Sequence, residues 1–360
     1  MSDATVADPE SPLDKPPAPD HTSEGQGLRR LASTLSIRNA SAIYVFAAMF
    51  LIFSLWVPDT FLTSTTWRSL LNGNATTALV AIGVGIALCA GVFDLSVGAT
   101  VGIGSMMVSW LLVNKGYSPI TAVLITLVIG VAIGVVNGFL VVVIGIDSFI
   151  ATLGVSSILT AAVLAISNGQ QIIGLDLGFR SFVSRQYLGM SVPVYVLIGV
   201  AIVCWYVLEH TPLGRRVYAT GGNREAARLV GVRTGGVITA SLAASAVTAS
   251  LTGLLIAGTF GTGDPTTGPD YLLPAFSAAF LGSTQFKNGR FNVLGTVVAV
   301  YVLSVGVKGL QLAGASFWVP SLFNGAALII AVGLTRLRGR GAAIRGVIGR
   351  LSSRSQPRTP

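Results

Sequence analysis

Long apolar stretches separated by short polar breaks make up most of the chain from residue 42 onward. Most approach the roughly 20 residues that carry an α-helix across a hydrocarbon core of about 30 Å. The pattern predicts spans at about Ala42–Val57, Ser69–Ala90, from after Asp94 to Val113, Pro119–Ile144, Phe149–Ser167 and Val192–Leu208, and further on at Gly236–Gly258, Val293–Leu312 and Trp318–Leu334. The run Leu272–Leu281 is too short for an ordinary crossing and is expected to be a half-helix packed inside the protein. The ~10-residue alternation of a transmembrane β-barrel is absent. The expected fold is an all-α polytopic membrane protein with about ten transmembrane helices, the half-helix included.

Composition agrees with the pattern. Hydrophobic residues are 52% and charged residues 10% of the 360, too few charges to cover a soluble domain. Residues 1–38 read as a disordered cytoplasmic tail, because their Pro, Asp, Glu and Ser content leaves little to bury. Residues 39–335 form the membrane domain, and 336–360 a basic cytoplasmic tail. Cys89 and Cys204 lie in apolar runs and read as packing residues; His21 and His210 are far apart, so no metal or nucleophile constellation emerges.

The net charge of +9 changes the picture through its placement. With ten crossings both termini share a side with Arg29, Arg30, Arg38, Arg215, Arg216, Arg224, Arg228, Arg233, Lys287 and Arg290, while Arg68, Lys115, Arg180 and Arg185 lie opposite. The positive-inside rule then puts the termini in the cytoplasm and removes the need for a nucleic-acid partner. The external arginines Arg68, Arg180 and Arg185 are candidates for docking an acidic partner surface, with interface anchoring as the plain alternative.

A polar insert at about 209–234 interrupts the greasy pattern. Gly221 and Gly222 are expected to break the chain and Asn223 to cap a short helix ending at Gly231. A seven-residue helix is unstable alone. Its small apolar face, Ala226, Ala227 and Val230, is expected to enter a cleft in a partner, with a loop-closing interfacial helix as the alternative. Asp94 and Asp147 read as helix caps at the cytoplasmic starts of spans rather than as proton relays. Ser148, Thr152, Ser156 and Thr160 fall on one helix face and could line a path for a polyol, or pack between helices. Ser241, Ser245, Thr248 and Thr252 make a similar stripe. Gly130, Gly134 and Gly138, and Gly98 with Gly102, read as helix contacts. Lys308 is expected to snorkel to the external interface.

The motifs "GVFDLSVG" (91–98), "NGFLV" (137–141), "FIATLG" (149–154), "GRRVYATGGNREAARLVGV" (214–232) and "FLGSTQFKNGRFNVLGT" (280–296), in this order, resemble the membrane permease subunit of ribose/xylose-type ABC sugar importers. Phe93 and "STQFKNGRFNV" depart from the usual pattern. The resemblance implies a type II ABC importer-like permease, working as a homodimer with an ATPase subunit and an extracytoplasmic sugar-binding protein in a bacterial plasma membrane. It also implies an ATPase-coupling role for Gly222, Asn223, Arg224, Glu225, Ala226, Ala227, Arg228 and Gly231, and a pentose or related polyol as cargo. No G-x-x-x-x-G-K-[ST] loop is present, so no cofactor is expected in this chain and ATP-Mg belongs on the partner. Nucleosides or branched-chain amino acids remain alternative cargoes, and a self-sufficient secondary transporter an alternative machine.

Overall fold

The computed structural model describes residues 41–284 and 289–333, with side chains from residue 44. The expected tails, 1–38 and 336–360, and Lys287 lie outside the described residues. The chain folds into helices α1 Ser41–Trp56, α2 Pro58–Phe61, α3 Ser64–Gly73, α4 Ala75–Cys89, α5 Val97–Val113, α6 Pro119–Phe139 and α7 Ser148–Ser167. Then follow α8 Leu177–Ser184, α9 Val192–His210, α10 Pro212–Gly222, α11 Arg224–Leu229, α12 Thr234–Phe260, α13 Pro269–Ser283, α14 Val293–Leu312 and α15 Val319–Gly333. Two-residue strands β1 Ile172–Ile173 and β4 Thr262–Gly263 pair antiparallel, as do β2 Gln186–Tyr187 and β3 Met190–Ser191.

Six helical stretches among the described residues are long and apolar enough to cross a membrane: Ser64–Cys89, Pro119–Ile144, Ser148–Ser167, Val192–His210, Thr234–Phe260 and Val293–Leu312. Tyr44–Trp56, Val97–Val113 and Val319–Gly333 are shorter apolar helices. Their ends follow local chemistry. Ser118, ahead of Pro119, accepts from Thr121 N; Asp147 accepts from Phe149 N; Asn292 accepts from Gly295 N. Each satisfies an N–H that the first helical turn leaves free. A π-helical turn at Leu140–Ile144 ends α6, and Gly145 turns the chain at φ +84°.

Helix α12 is the axis of the bundle. In its most apolar stretch 72% is buried inside the chain, against 22% in α7 and in α9. Helix α6 lies on it through the expected glycine face: a Cβ at Gly134 would strike the Ala243 backbone, and one at Gly138 the Thr239 side chain. Small residues let the two backbones approach this closely, which is how helices gain packing where lipid removes the hydrophobic drive.

Gly98 and Gly102 meet something other than a helix. Gly261 ends α12 at φ +74°, β4 pairs with β1, and the chain then turns back along α5 in a non-helical stretch. Gly263 lies beside Ser105 and Ser109, Thr267 against Gly102, and Gly268 against Gly98. Because Gly104 packs on Ser250, in the body of α12, the starts of α5 and α13 lie inside the bundle rather than at its end. Helix α13 is thus a half-helix of 15 residues with Pro274 inside it, and its far end packs on Gly295 and Thr296.

The α6–α12 contact yields a test of opposite signs. Gly134→Ala is expected to destabilise the purified protein by about 1–3 kcal/mol through overpacking, seen as a lower Tm in detergent. Gly199→Ala, on α9 with open space around it, should hold or raise the Tm because alanine favours the helix. Equal effects at both positions would remove the close-packing account.

Candidate functional site

Three zones of the bundle carry polar chemistry. The first is the insert end. Thr211 stops α9 and caps α10, accepting from Gly214 N, with Pro212 in the first helical position. Gly221 and Gly222 do not break the chain. They are the last residues of α10, and Gly221 gives way to a close approach, since a Cβ there would strike the Cys89 carbonyl and the Gly91 nitrogen. Tyr218 ties the insert to the loop before α14. Its hydroxyl donates to the Phe291 carbonyl at 3.0 Å and faces Glu209 Oε1 at 3.3 Å, and the Arg290 guanidinium lies 4.2 Å over its ring. Burial, then the nearby Cys89 and Glu209, push the Tyr218 phenol well above its ordinary range, so it stays a donor.

Asn223 caps α11 as its residue type suggests, accepting from Ala226 N at 2.9 Å. Gly231 takes φ +86°, Gly231 N donates to Arg228 O, and Val232 N donates to Ala227 O, closing the helix with a 6→1 turn. The apolar face differs from the sequence expectation. Ala227 is buried within this chain, so it cannot enter a partner's cleft. Leu229 and Val230 are instead 88% and 79% exposed, beside the exposed Arg224, Glu225, Ala226 and Arg228. The 3.6-residue period cannot say which side of a six-residue helix its own bundle takes; the tight turn at Gly231 decides it.

The second zone is the layer where helices break inside the bundle. The 90–96 segment between α4 and α5 is not helical along most of its length. Phe93 N donates to Ser148 Oγ at 3.1 Å, and Leu95 N to Thr152 Oγ1 at 3.0 Å. The hydroxyl stripe on α7 therefore divides. Ser148 and Thr152 are buried and committed to this loop; Ser156 is half-buried, and Thr160 is exposed with its hydroxyl on the Ser156 carbonyl.

Asp94 is 1% exposed and does not cap α5 at the bundle's edge. Its Oδ1 accepts from Ser96 N at 3.1 Å and Ser96 Oγ at 2.6 Å, and Asn137 Nδ2 donates to Ser96 Oγ at 2.8 Å. Ser245, about 16 Å along α12 from its start at 1.5 Å per residue, lies near the Asp94 carboxylate. Asp94 Oδ2, Asn137 Oδ1 and Ser245 Oγ complete no hydrogen bond among the described residues. Asp94 belongs to a buried network that ties the 90–96 loop to α6 in the helix-break layer. The Phe93 ring, unusual by sequence, stacks on Phe276 of α13 at 6.4 Å, joining the two broken segments.

The third zone is the end opposite the insert. Arg68, Arg180 and Arg185 are all exposed there, around the β2–β3 hairpin. Arg68 lies along Gly189, Arg180 along Gly261, and Arg185 donates to the Tyr187 hydroxyl at 3.1 Å. Asn72 holds the hairpin from both sides, donating to Gly189 O and accepting from Ser191 N. Sequence reasoning passed over Asn72, because one amide near the start of an apolar span carries no periodic signal. It also passed over the Tyr218–Arg290 pair, whose members are far apart in the chain.

Among the described residues no group of three or more His, Cys, Asp or Glu side chains could hold a metal ion. Among the described residues outside the spans, six arginines (Arg215, Arg216, Arg224, Arg228, Arg233, Arg290) lie at the insert end, against three arginines and Lys115 at the other.

Residues 68–332 match the family model described as branched-chain amino acid transport system / permease component. The ribose import permease protein RbsC of Bacillus subtilis strain 168 is 31% identical over 270 residues, covering 74% of this chain and 84% of the relative. The D-allose transport system permease protein AlsC of Escherichia coli K12 is 29% identical over 295 residues, covering 82% and 90%. The autoinducer 2 import system permease protein LsrD of Yersinia enterocolitica is 26% identical over 260 residues, covering 71% and 78%. No solved structure matches the chain significantly. With its match running from the start of the α3–α4 span almost to the end of α15, the chain belongs to this family of transport-system permease components and is a multi-pass protein of the plasma membrane.

Proposed function

We propose that this chain is the membrane path of an ATP-driven importer for a monosaccharide. The observation that carries the reading is likeness along almost the whole membrane domain to permeases named for ribose and allose import. On this reading the chain crosses the membrane ten times, α13 counting as one crossing, and works as a homodimer. ATP-Mg is bound by a separate ATPase subunit, and the sugar arrives on an extracytoplasmic binding protein. The six arginines at the insert end favour a cytoplasmic insert and cytoplasmic termini.

The ATPase would dock on the α11 turn. Leu229 and Val230 supply the apolar contact, and Arg224, Glu225 and Arg228 the charged rim that fixes orientation. Gly222, Asn223, Ala227 and Gly231 shape the turn, while Ala226 leaves room beside it. Tyr218 and Arg290 carry a push on the insert to the loop leading into α14. At the far end Arg68, Arg180 and Arg185 offer cations to carboxylates of the binding protein. Ser156 and Thr160 face out of this copy, where a second copy would complete a hydroxylated path; Ser148 and Thr152 continue that stripe inward by holding the loop.

The family description gives a second reading of the cargo, a branched-chain amino acid. Uptake by the reconstituted importer decides between them. ATP-dependent accumulation of D-ribose or D-allose, absent for leucine, is the expected result. Leucine uptake without sugar uptake would transfer the machine to the other cargo, and uptake by this chain without ATP would overturn the importer reading.

The docking surface has its own test. Leu229→Asp with Val230→Asp removes two exposed apolar side chains without touching the folded bundle. Losing about 1–2 kcal/mol per contact should weaken ATPase co-purification by about tenfold or more, with the Tm unchanged. Undiminished co-purification would show that the α11 turn only closes a loop.

A further inference from the structure

Phe93 is 40% exposed, on the non-helical segment that joins α4 to α5. The segment starts at the insert. Gly91 turns the chain out of α4 at φ +78°, and a Cβ there would stand 3.0 Å from the Gly221 Cα of α10. It ends deep in the bundle, where Asp94 lies near Ser245 and Leu95 N reaches Thr152. Phe93 stands between these ends. Its N–H is held by Ser148 at the start of α7, and its ring stacks on the buried Phe276 of α13 at 6.4 Å and 16°. It is thus exposed between α7 and α13.

Lipid does not cover that opening. Non-helical backbone at membrane depth is tolerated only where it is buried in protein or lines a water-filled cavity. Gly91 and Phe93 are exposed, and their carbonyls accept no hydrogen bond from the described residues. Such oxygens need water or a donor from another chain. Helix α7, to which the segment is tied, is buried over only 22% of its most apolar stretch. It carries Ser156 and Thr160 on the face that the proposed function gives to a path between two copies. Phe93 therefore lies at the inner end of that path, where the spans approach the insert. Phe149 on α7 and Leu273 on α13 are exposed too, so the hydroxylated stretch gives way to apolar side chains there. Near a two-fold axis a residue faces its own counterpart. Two apolar rings that meet offer nothing to which water or a hydroxylated solute can bond, and a hydrophobic constriction closes a path by dewetting.

We infer that Phe93 is the inner gate of the path: the Phe93 rings of two copies meet across it and stop the solute above the insert. The inference rests on the importer reading and on its homodimer, and gives that path a residue that closes it. The Gly91–Gly221 contact gives the gate its control. The insert, where the ATPase would dock, touches the backbone two residues before the ring, so a shift of the insert moves the gate without crossing the bundle.

The test uses the reconstituted importer in liposomes loaded with D-ribose, without ATP. Phe93→Ala and Phe93→Ser are expected to speed sugar efflux by about tenfold or more, which needs only about 1.4 kcal/mol off the barrier to passage. Phe93→Leu loses the stacking but keeps an apolar plug, and should stay close to the parent. The Tm of each variant in detergent separates gating from packing. A ring that only packs on Phe276 would make the leak follow the loss of Tm, the Leu variant included, and that result overturns the gate. Position is tested with Cys89→Ala and Cys204→Ala in place. There Phe93→Cys should be bridged between two copies by a short bifunctional methanethiosulfonate, and its leak should fall on bridging and return on reduction. No bridged dimer, or a bridged dimer that leaks as before, overturns the proposal. Ala and Ser variants as tight as the parent overturn it too, and the importer reading survives if that parent still accumulates sugar with ATP. If leucine accumulates in place of sugar, the cargo reading fails, and the same variants leaking leucine uphold the gate. A parent protein that passes sugar freely without ATP overturns both.

Discussion

A bilayer core offers no water to a backbone amide, so chain that leaves the helical path inside the bundle must find its partners among neighbouring side chains. The 90–96 loop is where this constraint bears hardest. Phe93 N and Leu95 N are satisfied by two hydroxyls one turn apart on α7, and Ser96 N by Asp94. An unpaired amide in that setting costs on the order of 1–3 kcal/mol. The break between α4 and α5 thus depends on Ser148 and Thr152, and so does the depth at which α5 begins. The second break, at 262–268, relies on the first. Its backbone lies on Gly98 and Gly102, and those glycines face it because α5 starts where the loop puts it.

Phe93 stacks on Phe276 of α13, so the first break is packed against the half-helix that follows the second. Helices α5, α6 and α12 interlock through backbone contacts at Gly104, Gly130, Gly134 and Gly253 that leave no room to slide. Helix α13 is short, carries a proline, and begins at a glycine with no side-chain cap. It also packs on the start of α14 through Gly282, next to the loop that Tyr218 and Arg290 grip. Tyr218, Arg290 and Gly282 thus form a continuous series of packed contacts from the insert to α13.

The long spans were legible because apolar length alone identifies them, and the glycine face of α6 because its spacing repeats. Caps at Asn223 and Asp147 were legible because short polar side chains next to a helical run have one good use. What escaped was whatever depends on depth. Asp94 read as an edge cap since a carboxylate before a helix normally sits there, and nothing local to "FDLSVG" reveals that Ser245 and Asn137 lie around it. Ser148 and Thr152 share a helical face with Ser156 and Thr160, and periodicity cannot tell a hydroxyl committed to a loop from one left free. Ala227 and Val230 carried the same apolar signal, yet one is buried and the other exposed. Lys308 stood out in its run, but Thr77, which lines one cavity with it, belongs to a helix far away in sequence.

The dependence of the fold on the α7 hydroxyls can be measured directly by amide hydrogen exchange on a peptide covering residues 91–97, in the purified protein and in Thr152→Val. Valine keeps the shape of threonine and removes the hydroxyl. The account predicts slow exchange in the parent protein and exchange faster by about tenfold or more in the variant, the equivalent of losing about 1.4 kcal/mol of protection against opening. Equally slow exchange in both proteins would contradict it, because the helix break would then be held by something other than the hydroxyl that Leu95 N reaches.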